Sequence, residues 1–154
     1  MDKQNIDYTY TNYIKNSIVQ AAINYWSAAL YILRLTKPLV LPADTCIKAN
    51  IPTTYQYPGV EADLVIFVTT EHSTEDFISW GTACFLSEEN NRPVAGQLHI
   101  NLNAIKPHDS TLHEIQFSNI LHQFAHILGF SETLFQFYIN PITNQPIGYS
   151  NIVR

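Results

Sequence analysis

The chain has 154 residues, enough for one domain that buries about 68–70% of its unfolded surface. Apolar residues make up 46% and charged residues only 14%, which excludes intrinsic disorder, a state that needs low hydrophobicity and high charge. Thirteen acids against eight bases give a net charge of -5, the wrong sign for a phosphate backbone, and two cysteines without a CxxC pair exclude a disulfide-rich scaffold and a zinc ribbon.

The first ten residues, MDKQNIDYTY, hold no apolar run of the kind a signal peptide needs. Residues 11–34 read as a long amphipathic helix. Ile14, Ile18, Ala21, Tyr25, Ala28 and Ile32 form its apolar face, and Asn16, Gln20, Asn24 and Ser27 its wet face. That polar stripe argues against a membrane span between Lys15 and Arg34. Pro38 blocks continuation of the helix. Residues 39–42 read as a short strand or connector, and 43–60, with Pro52, Pro58 and Gly59, as a loop. LVIFVT at 64–69 is an unbroken β-branched and aromatic run, expected to be a strand buried on both faces. Residues 77–86 are a second strand, and 88–93 are a turn by composition.

GQLHINL at 96–102 alternates as a half-buried strand does, with Leu98, Ile100 and Leu102 inward and His99 toward solvent. A helix follows at 112–128 and stops at Gly129, a favoured left-handed terminator. Residues 130–154 promise little regular structure. The order predicts an α+β layer fold in a single domain spanning 1–154. The 112–128 helix lies under a sheet containing 64–69 and 96–102, and the 11–34 helix packs on that sheet.

One constellation carries chemistry. His122 and His126 are four apart, so on a helix both imidazoles reach one side and can share a metal. Phe117, Leu121, Phe124 and Leu128 form a narrow apolar stripe behind them, and Gln123 projects close to the histidine face. Two histidines at this spacing also arise as a solvated or hydrogen-bonded pair with no metal. His72, His99, His108 and His113 are assigned no role. His113-Glu114 begins like HExxH, but Phe117 stands where the second histidine belongs.

HQFAHILGFS resembles the HExxHxxGF helix of the leishmanolysin family, which are metzincin zinc peptidases. Separate segments agree in order: Ala62 to Val68, Trp80-Gly-Thr-Ala-Cys84, Arg92-Pro93-Val-Ala-Gly96-Gln97, and Asn101. The stretch from Cys46 through Ile51-Pro52 to Gln56 is similar to ciliate versions of the family. The resemblance implies a metzincin-like N-terminal (upper) subdomain, with a long backing helix, a mixed sheet and an active-site helix. It also implies peptide-bond hydrolysis as the family activity. In that fold an edge strand above the helix takes substrate by strand addition.

Two departures bear on that activity. The general-base glutamate of the family is Gln123 here. The family's third zinc ligand is a histidine well downstream, followed by a methionine turn, whereas no histidine follows His126 and the only methionine is Met1. The chain thus reads as a truncated member corresponding to the upper half of the peptidase domain. Glu132, the only carboxylate side chain after the helix, is a candidate third ligand. Zinc is expected to bind weakly or not at all, and catalysis to be lost or impaired. The partner expected is a peptide or protein, with no nucleic acid. The alternative is a structural subunit of a larger assembly, in which the aromatic tail (Phe130, Phe135, Phe137, Tyr138, Tyr149) offers packing surface. The family is secreted or cell-surface, although no leader is visible. It also bridges cysteines at places matching Cys46 and Cys84; two buried free thiols are the other reading.

Overall fold

The computed structural model describes residues 8–148. Tyr149 of the aromatic tail, and most of the N-terminal segment read for a leader, lie outside the described residues.

The described residues open with one continuous helical rod: α1 (Tyr8–Asn12), a π-helical segment (Tyr13–Val19) and α2 (Gln20–Ala29). The π segment explains a correction to the expected face. Ile14, Ile18, Val19 and Ala22 are buried and Trp26 is half-buried, while Tyr25 and Ile32 are exposed. A π turn closes on residue i+5 rather than i+4. Downstream positions therefore shift by one, from Ala21 and Tyr25 to Ala22 and Trp26. The rod also ends earlier than the expected 34. Leu30 is extended (φ −113°, ψ 138°). Beyond it the backbone finds partners outside a helix: Arg92 Nη1 donates to the Leu33 carbonyl at 2.6 Å, and the Leu35 amide donates to Asp63 Oδ1 at 2.6 Å. No helix among the described residues is long and apolar enough to cross a membrane.

A short helix, α3 (Thr53–Gln56), interrupts the stretch expected to be a loop, and Leu39 forms an isolated bridge with Val60. Three strands follow: β1 (Val65–Glu71), β2 (Ser79–Leu86) and β3 (Pro93–Asn101). The order is β1-β3-β2, with β1 parallel and β2 antiparallel to β3.

This order reverses two expectations. β1 is an outer strand, with Val68 41% exposed, rather than one buried on both faces. β3 is the central strand and is buried from Val94 to Asn101. His99 is consequently 2% exposed and does not face solvent. The alternation in β3 misleads because its polar side chains are buried and hydrogen-bonded. Gln97 Nε2 donates to Thr69 Oγ1 (3.0 Å), and Thr69 Oγ1 hydrogen-bonds His99 Nδ1 (2.8 Å). Trp80 lies against the same imidazole, ring centroids 4.9 Å apart. Burying such groups is tolerated when they are paired in this way.

Helix α4 (Ser110–Ile127) crosses beneath β2 and β3. The N-terminal rod packs against α4, Trp26 Nε1 donating to the Leu121 carbonyl. Rod, α4 and sheet share one core around Ile18, Leu98, Ile100, Ile120, Phe124 and Ile127. Segment 35–60 covers the opposite face with Leu39, Leu41, Cys46 and Ile51. Cys46 and Cys84 form a disulfide there, with Cα atoms 5.3 Å apart. After α4 the chain makes a 3-10 helix (Glu132–Phe137) and an isolated bridge between Ile139 and Pro146.

Candidate active-site helix

Both ends of α4 are built locally. Asp109 caps its start, Oδ1 accepting from the Thr111 amide (3.0 Å) and hydroxyl (2.6 Å). Those bonds favour the ionised carboxylate and hold Asp109 below its ordinary value. At the far end Gly129 adopts φ +117°, a conformation that L side chains rarely adopt. The Gly129 amide bonds the His126 carbonyl (3.2 Å) and the Phe130 amide bonds the Ala125 carbonyl (3.0 Å). This is the Schellman pattern that ends a helix at glycine. Tyr138 donates its hydroxyl to the Gly129 carbonyl at 2.9 Å, and burial raises its phenol above the ordinary range.

Two neighbours cover the apolar surface of α4. Ile120, Phe124 and Ile127 are buried in the shared core under the sheet. Leu121 meets the N-terminal rod through Trp26, and His113 through Tyr13, whose hydroxyl lies 3.0 Å from His113 Nδ1. The buried stripe is therefore Gln116, Ile120, Phe124 and Ile127, rotated from the expected Phe117, Leu121, Phe124 and Leu128. The rotation arises because two elements, not one, cover the apolar arc.

His122 and His126 occupy the remaining side, His122 exposed and His126 half-buried. Their rings are 4.5 Å apart by centroid and nearly perpendicular. His126 Nδ1 lies 2.9 Å from the Phe130 carbonyl. A carbonyl only accepts, so Nδ1 carries the proton and the Nε2 lone pair is left for another partner.

Gln123 lies between the histidines and β2. Its Oε1 accepts from the Gly81 amide at 2.9 Å. One turn earlier, Asn119 Oδ1 accepts from Ser79 Oγ at 2.6 Å. The approach is close enough that a Cβ on residue 81 would lie 2.5 Å from the Gln123 carbonyl oxygen. Sequence reasoning passed over Ser79, Gly81 and this use of Asn119. The available signal was the i, i+4 spacing of Asn119 and Gln123 beside the histidines.

The zinc that the family resemblance implies can be set against these donors. Two imidazoles on one helix side are suitable, and the tautomer of His126 suits a ligand. A catalytic zinc takes three protein ligands and a water. Among the described residues no group of three His, Cys, Asp or Glu side chains able to hold a metal is present. Glu132 sits exposed at the start of the 3-10 helix. The donor set fits part of a zinc site and not a complete catalytic one, so no reaction step is derived through a metal.

The remaining histidines have structural partners or lie exposed. His72 Nδ1 is 2.8 Å from Asn103 Oδ1, and His108 is exposed. His99 Nε2 faces Glu71 Oε1 at 3.2 Å, and Glu71 Oε2 pairs with Lys48 Nζ at 2.8 Å. Lys48, then His99, hold the Glu71 carboxyl below the ordinary range.

The family model described as Leishmanolysin matches residues 8–145. A leishmanolysin-like peptidase of Caenorhabditis elegans is 22% identical over 183 residues, covering 88% of this chain and 28% of the relative. One from Caenorhabditis briggsae gives the same identity and coverage. Leishmanolysin of Leishmania amazonensis is 29% identical over 97 residues, covering 62% of this chain and 15% of the relative. The chain thus spans less than a third of the length of the curated relatives it matches. With the family model running through the rod, the sheet and the histidine helix, the chain belongs to the leishmanolysin family.

Proposed function

We propose that this chain is the upper half of a leishmanolysin-like peptidase domain that holds polypeptide without hydrolysing it. Leishmanolysins are zinc metallopeptidases, and the reading turns on one residue. Gln123 stands where the family carries its general base. A carboxamide hydrogen-bonds water but does not take its proton, and general-base catalysis contributes typically 10²–10⁴-fold. The Gln123 oxygen is moreover already used by the Gly81 amide. Any zinc is held weakly by His122 and His126. The outer edge of β2 is the place for an extended chain, the binding mode by which peptides add to sheet edges.

A second reading, a structural subunit of a larger assembly, is favoured by one observation. Phe130 and Phe137 are exposed after the helix, with Ile142 beyond them. Exposed apolar groups of this kind mark contact surfaces when contiguous.

The purified chain, supplied with Zn²⁺ and casein, is expected to show no cleavage. Chelator-sensitive proteolysis would overturn the proposal. A stoichiometric protein that co-purifies through Phe130 and Phe137, with no affinity for unfolded casein, would favour the subunit reading instead.

A further inference from the structure

β2 is the outermost strand on its side of the sheet. Amides along such a strand point alternately to the neighbouring strand and to the open side. The Gly81 amide is donated to Gln123 Oε1, so it belongs to the open side, where an added strand would pair. Two residues back, the Ser79 hydroxyl is taken by Asn119. The match is geometric. Four helix residues rise about 6 Å and two strand residues about 6.7 Å, so side chains four apart on α4 meet positions two apart on β2. Exposed edges invite pairing with other chains, and proteins cover them. Here the cover at Gly81 is the Gln123 side chain of the histidine helix, and Asn119 holds the Ser79 side chain beside it.

We propose that Gln123 is a positioning residue that keeps the edge of β2 closed at Gly81. An incoming extended polypeptide must displace the Gln123 carboxamide before it can pair there. The inference rests on the polypeptide-holding reading for its occupant, and on the hydrogen bond between the Gly81 amide and Gln123 for its mechanism. It gives residue 123 a role that needs an acceptor oxygen and no proton transfer.

The test is amide hydrogen exchange by NMR on the full chain, with oxidised insulin B chain as the extended probe. In the unmodified chain the Gly81 amide should be protected. Gln123→Ala should raise its exchange about five-fold, the worth of one ordinary hydrogen bond. Gln123→Glu keeps an acceptor and should retain the protection. Asn119→Ala should leave Gly81 protected, and exchange at Leu98 and Ile100 should report an intact sheet throughout. The probe should bind Gln123→Ala about five-fold more tightly than the unmodified chain. Should Gln123→Ala not fold, the unmodified chain still decides: titrating the probe should shift the Gln123 side-chain amide signals, and no shift on binding overturns the gate. Equal exchange at Gly81 with and without the carboxamide also overturns it. Lost protection with unchanged affinity overturns the gate and leaves the polypeptide-holding reading standing. Binding to neither form overturns both.

Discussion

Beneath Trp80, His99 Nε2 and Glu71 Oε1 face each other at 3.2 Å, joining a buried imidazole of the central strand to a half-exposed carboxylate of an outer one. Through Lys48 the contact reaches the covering segment. Lys48 Nζ bonds Glu71, and the Lys48 amide donates to Gln97 Oε1 at 3.1 Å. The sheet face and its cover are therefore tied by polar groups as well as by the disulfide.

A pH dependence follows. Lys48 and His99 lower the Glu71 carboxyl in the folded state. A lowered folded value means the contribution is present above the unfolded carboxylate value, about 4.3, and is lost as pH falls through the folded value. Glu71→Gln should lower the melting temperature at pH 7. The difference from the unmodified chain should shrink on acidification below the unfolded value. A difference that is constant from pH 7 to pH 3 would contradict the assignment.

Gly81→Ala should loosen the contact between α4 and β2. Its methyl would meet the Gln123 carbonyl oxygen at 2.5 Å, and relieving that requires helix and strand to separate. Overpacking of this kind costs about 1–3 kcal/mol. Urea denaturation measures it, and an unchanged midpoint would show that the backbone yields without cost.

The Cys46–Cys84 bridge closes a separation of 38 residues. Chain-entropy arguments give a loop of this size about 3–4 kcal/mol. The double variant Cys46→Ser, Cys84→Ser should lose roughly that in denaturant. Reductant should destabilise the unmodified chain and leave the variant unaffected.

Gln123→Glu alone should not produce a strong peptidase. A carboxylate helps only beside an activated water, and a catalytic zinc takes three protein ligands to hold that water in place. Misplacement by about 1 Å can cost 10²-fold in rate. A casein assay with added Zn²⁺ checks this. High turnover would show that a third ligand, with Glu132 the first candidate, completes the centre.

Hydrophobic pattern reports where apolar side chains are buried, and that limit explains what was legible. The histidine helix, its glycine stop and the three strands were readable because their apolar residues recur at regular spacing. β3 was misread because Gln97, His99 and Asn101 are buried and paired with groups distant in the chain, such as Thr69, which periodicity cannot detect. The rotated face of the N-terminal rod was hidden for another reason. A π segment keeps helical composition and changes only the phase, so Trp26 and Tyr25 exchange places without a sequence mark. The tie from Gln123 to Gly81 involves a backbone amide and leaves no compositional trace.

The carbonyl of Phe130 has a consequence for how histidine motifs are compared. It selects the protonated nitrogen of His126, yet it belongs to the main chain four residues on. Replacing the Phe130 side chain leaves that acceptor in place. What aims it is the left-handed turn at Gly129 and the Tyr138 hydroxyl behind it. The tautomer of His126 is thus written in the path of the chain after the helix. Two proteins with the same pair of histidines, but different exits from the helix, present different ring nitrogens on the same side of it.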